Sequence, residues 1–349
     1  MKVDYLVVGF GLAGLSFVEQ LEQNNKSYLV FNDHSQAATK TAAGVYNPTN
    51  LKRYTAVWNA VEHLKVLPHF FDKIENRLGI SIRSEIPIYR RFSSIEEQNN
   101  WVVASDKPKL APFLSTDFIS NPFQYLTTNQ DLGKVLQTGR IDTQLLVSEY
   151  ISFLMRKHLV ISEPFVHKKI VFDSDDAISY ESISAKTIVF CEGYGLKKNP
   201  FFNYLPLQGN KGEYLIIESV DLKVDVILKA GLFIVPLGND RYKVGATFDR
   251  EDKTNAITDR SKNKIVEKLS KAIACPFKIV NHVAGIRPTT KDRKPFLGRH
   301  PQYKQLAVFN GFGSRGILMA PALSAQLYNY LEKGHSLGSE VDIARYSID

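Results

Sequence analysis

Residues 9–14 read Gly9-Phe10-Gly11-Leu12-Ala13-Gly14, a G-x-G-x-x-G phrase that leaves the start of this chain few ways to fold. The apolar run at residues 2–8 predicts a strand before it. Phe17, Val18 and Leu21 follow at helical spacing, and residues 27–31 read as a second strand. In that β-α-β setting the three glycines serve different ends. Gly9 allows the tight turn, Gly11 lets a pyrophosphate approach the backbone, and Gly14 lets helix and sheet come close. The helix N-terminus, with Leu12 and Ala13 in its opening turn, offers free N–H groups and a partial positive charge to phosphates. A dinucleotide cofactor is the implied ligand, and the glycines do not separate NAD from FAD. The residue that binds the adenosine ribose is expected about 18 residues after the last glycine. That position is Asn32, with Asp33 next. Either can bond a ribose hydroxyl, and both also suit the start of a turn.

The remainder of the chain does not repeat this unit. Apolar residues at Val57, Val61, Leu64, Leu67, Phe71, Ile74 and Leu78 predict a helix over 55–78, stopped by Gly79 and kinked or broken at Pro68. Residues 80–92 and 123–128 read as strands of a mixed or antiparallel sheet. Asp142 is placed to cap a second helix, which leads into strands at 159–161 and 186–190. Strands at 213–218, 232–235 and 242–246, a helix near 265–273 and a last helix opening at Pro321 complete the pattern.

At 349 residues, the chain has the length of about two compact units. The predicted class is α/β, α+β overall: a Rossmann-like cofactor domain from residues 1–80, 138–204 and 283–349, with a mixed or antiparallel β-sheet substrate domain inserted as 81–137 and 205–282. The 44 Lys and Arg residues exceed the 36 Asp and Glu, for a net charge of +8, which suits an acidic substrate or a polyanion without requiring one. Much of the excess is local: Arg287, Lys291, Arg293, Lys294, Arg299 and Lys304 are opposed only by Asp292. Cys191 and Cys275 match neither a disulfide framework nor a zinc spacing and imply a reducing, cytoplasmic setting. No apolar run reaches the ~18 residues of a membrane span. The histidines show no metal-ligand spacing, and no serine-hydrolase elbow occurs.

Separated blocks over nearly the whole chain resemble the FAD-dependent D-amino acid oxidase superfamily, within it the glycine oxidase and sarcosine oxidase members. Thr39-Lys40-Thr41-Ala42-Ala43-Gly44-Val45-Tyr46 is similar to the family's small-residue loop along the flavin. Thr187-Ile188-Val189-Phe190-Cys191-Glu192-Gly193 resembles the strand ending beside the cofactor. The most specific blocks are Gly285-Ile286-Arg287-Pro288-Thr289-Thr290, Lys294-Pro295-Phe296-Leu297-Gly298 and Asn310-Gly311-Phe312-Gly313-Ser314-Arg315-Gly316. The resemblance implies FAD contacts from Thr41, Ala42, Ala43, Gly44, Val45, Val166, Glu192, Gly193, Arg287, Gly311, Gly313, Ser314, Arg315, Gly316 and Ile317, in addition to the first glycine turn. It also makes Arg287 the analogue of the arginine that holds the substrate carboxylate, a pairing that suits a guanidinium fork. Lys243 falls where sarcosine oxidase-like members carry a lysine that assists oxygen reduction; read alone, 240–243 is a hairpin end with a solvated lysine. Arg315 either adds positive charge beside the reduced flavin or binds solvent or a carboxylate. Tyr46, Tyr214 and Tyr242 are candidates to line the site or to pack in the core. With Phe312 and Ser314 in the loop where covalent members carry cysteine, FAD is expected to bind non-covalently.

The activity so implied is oxidation of the C–N bond of an amine, an amino acid or N-substituted glycine, by hydride transfer to flavin N5, with O2 as acceptor and H2O2 as product. The phrase from Ala42 to Pro48 and the basic C-terminal block also resemble the FAD-dependent half of the tRNA wobble-uridine modification enzyme. That half performs the same chemistry on a nucleotide; a small-molecule substrate is preferred here because the methyltransferase half is absent. A flavin-binding module without turnover is a third reading, weakened by the intact arginine phrase.

Overall fold

The computed structural model describes residues 1–174 and 177–347. Two large sheets organise it. In the first, Val160–Ile161, Tyr28–Phe31, Lys2–Val8, Ile183–Phe190 and Leu306–Asn310 run parallel, in that order. An antiparallel hairpin, Ile170–Ser174 with Ala177–Tyr180, pairs the beginning of Ile183–Phe190, and Phe296–Arg299 flanks Leu306–Asn310. The central strands are buried and largely apolar toward their C-terminal ends, at residues 5–8 and 187–190, where both faces are covered. Helices Leu12–Gln23, Ala60–Leu78, Thr143–Arg156 and Gly316–Lys333 close one face around Phe17, Phe71, Tyr150 and Phe309; Phe190, Phe202 and Phe296 fill the other.

The second sheet has eight strands in the order Lys278–Thr290, Leu207–Glu218, Arg241–Gly245, Phe233–Gly238, Ile227–Lys229, Ile88–Arg91, Leu132–Val135 and Leu114–Ile119. All neighbours are antiparallel except Ile227–Lys229 with Ile88–Arg91, so the sheet is mixed, as expected. Helix Asp259–Ser270 covers its outer face, packing Ile265 over Leu215 and Leu228. Its inner face meets residues 43–56 and helix Ile95–Ser105. The expected division at 282–283 falls inside the continuous strand Lys278–Thr290.

Several elements differ from the sequence expectation. The helix expected over 55–78 begins at Ala60, because Thr55–Ala56 pairs with Thr49–Asn50. It runs unbroken through Pro68, which lies on the exposed face, where water can serve the carbonyl the proline leaves unpaired. Residues 123–128 form no strand, only a bridge between Leu126 and Ile273: Asn121 accepts from the Phe123 N–H and donates to the Phe123 carbonyl, folding the chain into a turn. Helix Ile95–Ser105 was not anticipated, although Ser94 caps it by accepting from the Glu97 N–H. The last helix begins at Gly316 and carries Pro321 in its interior, which brings its positive end directly to the glycine loop. Asp142 caps its helix through the Leu145 N–H, as its position predicts.

Candidate active site

At the C-terminal end of the parallel sheet, Gly9 has φ +94°, and a Cβ there would lie 2.6 Å from the Cys191 carbonyl oxygen. A Cβ on Gly14 would lie 2.0 Å from the Gly9 oxygen. The chain can therefore turn and pass close to its neighbour only with glycine at these positions. Gly11, at the N-cap of helix Leu12–Gln23, has no side chain to occupy the space before the helix. Thr39 Oγ1 accepts from the Leu12 N–H at 3.0 Å and would stand 3.1 Å from a Cβ on Gly11, closing the turn from the side. A Cβ on Gly316 would come 2.9 Å from Leu12 Cδ2, so the N-termini of the first and last helices meet. Two positive helix ends in one place favour a ligand with negative charge along its length.

The C-terminal loop is held by local bonds. Gly311 has φ +85° and its N–H donates to Asn310 Oδ1, Gly313 N–H donates to the Pro288 carbonyl, and Asn310 Nδ2 reaches the Gly193 carbonyl at 2.9 Å. Ser314 is exposed and Ile317 buried. Among the described residues Arg315 pairs with no carboxylate: Nη1 donates to the Asn47 carbonyl at 2.7 Å and Nη2 to the Thr49 carbonyl at 2.9 Å. Burial of this guanidinium, then the charge of Arg293, pushes its pKa down to about 10. The arginine thus fastens the C-terminal loop to residues 47–49 and leaves a cation beside the helix end.

Opposite lies the 41–45 loop. Gly44 has φ +77°, and a Cβ there would sit 1.9 Å from the Ile141 carbonyl oxygen. Thr41 Oγ1 donates to the Ala284 carbonyl, while Ala43 and Val45 pack toward the inner face of the second sheet. From that sheet, buried Lys243 reaches the same loop, its Nζ donating to the Ala42 carbonyl at 2.9 Å. The hairpin turn at Asn239 and Asp240 is as expected, but the lysine beyond it is not solvated. Burial, and secondarily the charge of Arg140, lowers its pKa to about 8, while Asp142 acts the other way. Tyr214 stands beside it, ring centroid 5.5 Å from Nζ. Tyr242 lies on the outer face in the core. Tyr46 is buried in the main core, where its hydroxyl would be 2.3 Å from a Cβ on Gly139.

Arg287 rises from Lys278–Thr290 on the same inner face. Its guanidinium lies against Gly212, Nη1 donates to the Thr247 carbonyl at 3.4 Å, and Phe248 stands beside it. Among the described residues it forms no ion pair with a carboxylate.

At the adenosine end, Asn32 is buried and bonds His34, whereas exposed Asp33 accepts from the N–H and hydroxyl of Ser35. Glu192 holds His167 at 3.0 Å and Asn199 at 2.7 Å beside Gly193, which has φ +56°. Both backbone groups of Val166 are engaged: its N–H donates to the Tyr180 hydroxyl and its carbonyl accepts from Lys169. Thr39, Gly212 and Phe248 are site residues that the sequence reading did not single out; a glycine inside a strand, as at 212, is the one signal that marks a close approach. Among the described residues no three His, Cys, Asp or Glu side chains converge as a metal site, and no helix is long and apolar enough to cross a membrane.

A glycine-lined turn between two helix N-termini, faced by a cation-bearing sheet, suits a dinucleotide cofactor. The chain belongs to the FAD-dependent oxidoreductase (DAO) family, whose model matches residues 4–330. It is 31% identical to the glycine oxidase of Bacillus subtilis (strain 168), over 93% of this chain and 92% of that protein. The solved glycine oxidase from Bacillus cereus ATCC 14579 superposes with a TM-score of 0.78 at 20% identity, covering 96% of both chains. A bifunctional tRNA 5-methylaminomethyl-2-thiouridine biosynthesis protein of Legionella pneumophila (strain Philadelphia 1) is 24% identical over 44% of this chain and 28% of its own length. FAD is therefore the cofactor, and the residues present fit it: Gly11 puts no side chain before the N-terminus of helix Leu12–Gln23, and Ala42, Ala43 and Gly44 keep the facing loop small.

Proposed function

We propose that this enzyme oxidises the C–N bond of a small amino acid or N-substituted glycine, with dioxygen as electron acceptor and hydrogen peroxide as product. The observation that carries this reading is Arg287: a guanidinium without a carboxylate partner among the described residues, on the sheet face that meets the 41–45 and 311–316 loops. A substrate carboxylate completes that site with charge-assisted bonds. The similarity to glycine oxidase along nearly the full chain supports the same substrate class. FAD, when bound, would supply the two-electron chemistry that oxidises the C–N bond. The protein's share is placement. Arg287 fixes the carboxylate end, and Lys243, with the Tyr214 ring beside it, keeps a cation next to the 41–45 loop, where it would favour negative charge on reduced oxygen. The N-terminus of Gly316–Lys333, with Arg315, supports negative charge on the cofactor. Non-covalent attachment of FAD and the division into cofactor and substrate domains are parts of the same reading.

The tRNA reading draws on a shorter match, spanning less than half of this chain. Oxygen consumption with coupled detection of peroxide tests both. Turnover of sarcosine or glycine is expected; turnover confined to tRNA bearing a carboxymethylaminomethyl wobble uridine would replace the proposal with the RNA activity.

A further inference from the structure

The surroundings of Arg287 carry more information than its charge. A Cβ on Gly212 would lie 2.0 Å from Nη2, 2.3 Å from Nη1 and 2.4 Å from Cζ. Those nearly equal distances set the glycine backbone as a floor under the guanidinium, which any larger residue would displace. Phe248 stands as a wall, ring centroid 4.8 Å from Cζ. It is 67% exposed, so core packing does not account for an aromatic residue at this position. The Thr247 carbonyl, next to the wall in the chain, holds Nη1. Gly212 and Arg287 lie on neighbouring strands, and Phe248 follows the end of a third.

We propose that Gly212 and Phe248 are positioning and specificity-determining residues that present the Arg287 guanidinium to a flat carboxylate and reject tetrahedral oxyanions of the same charge. The inference rests on Arg287 being the carboxylate clamp. A carboxylate meets a guanidinium edge to edge, its two oxygens in one plane with the fork. A sulfonate or phosphonate carries a third oxygen out of that plane, toward the floor or the ring, where it meets either backbone or the negative face of an aromatic ring. The same ring attracts the guanidinium, limits its rotation, and lowers the entropy lost when the carboxylate docks.

The test uses the oxidised holoenzyme labelled with 15N-arginine, with acetate and methanesulfonate as probes. The Arg287 Nε–H resonance, assigned by its loss in Arg287→Lys, reports binding apart from turnover. In the unsubstituted protein acetate is expected to shift this resonance and to bind about tenfold or more tighter than methanesulfonate. Phe248→Ala is expected to weaken acetate binding about threefold to thirtyfold and to narrow the preference over methanesulfonate. In turnover the loss should fall on KM with kcat little changed, and Phe248→Tyr should restore it. Phe248→Ala with unchanged acetate affinity and unchanged discrimination overturns the inference while leaving the clamp in place. Failure of acetate to move the Arg287 resonance in the unsubstituted protein removes the clamp itself, and the inference with it. Gly212→Ala should displace the guanidinium, but the conclusion does not depend on that variant folding.

Discussion

Replacing Lys243 with methionine should stabilise the protein and at the same time slow the passage of electrons to dioxygen, because both effects arise from one buried charge. Burial lowers the lysine pKa from 10.5 to about 8. Each unit of such a shift corresponds to about 1.4 kcal/mol. Between those two values the unfolded chain binds more protons than the folded one, so stability rises with pH across that window. Below about 8 the full penalty of holding the cation applies, about 3 kcal/mol, and above 10.5 it is gone. Loss of the hydrogen bond to the Ala42 carbonyl offsets about 1 kcal/mol of the gain. Lys243→Met should therefore be about 2 kcal/mol more stable in urea unfolding near neutral pH. That advantage should disappear as the pH approaches 10.5. In stopped-flow mixing with oxygen, the unsubstituted enzyme should reoxidise more slowly as pH rises through about 8, while the variant should be slow throughout. A stability gain that does not vary with pH, or a reoxidation rate indifferent to the substitution, refutes the reasoning.

Other consequences follow from the same geometry. Arg287→Ala should lower kcat/KM for a small amino acid about thirtyfold to a thousandfold in steady-state assays, with the flavin content of the purified protein unchanged. Gly14→Ala, whose Cβ would meet the Gly9 oxygen at 2.0 Å, should purify with little or no flavin, read from the ratio of visible to ultraviolet absorbance. Arg315→Leu leaves the carbonyls of Asn47 and Thr49 without their donors and should cost about 2–4 kcal/mol in denaturant unfolding, whereas a loss below about 0.5 kcal/mol would contradict its fastening role. Arg77→Ala strips the cation from fully buried Glu19, which keeps its bonds from Tyr150 and Gln23, and should destabilise by about 3–5 kcal/mol, a loss that Glu19→Gln in the same chain should partly reverse.

The parts of the fold legible in the sequence are those set by local steric demands. The turn at 9–14 admits only glycine at its crowded positions, so strand, turn and helix could be placed from the spelling alone. Arg287 was legible because its neighbours spell a phrase shared with a family. The orientation of Lys243 was not: Tyr242 and Lys243 are both buried, on opposite faces of a strand covered on both sides, and no alternation of polarity marks which face is which. Phe248 and Gly212 come together only through the pairing of three strands, which spacing along the chain does not encode. The start of the last helix was misplaced because Pro321 suits a first turn, yet it is accommodated five residues inside the helix. Helix Ile95–Ser105 carried a readable signal in Ser94 and Glu97 that polar, proline-containing surroundings obscured.

The central claim is that Arg287 presents a small amino acid to the flavin. Anaerobic mixing of the purified holoenzyme with sarcosine, glycine, D-proline or carboxymethylaminomethyl-modified tRNA, followed by visible absorbance, tests it most directly. Bleaching by a small amino acid in the unsubstituted enzyme, and its loss in Arg287→Ala, is the predicted result. Bleaching by the modified tRNA alone, or equal bleaching by the small amino acid in Arg287→Ala, would contradict the claim.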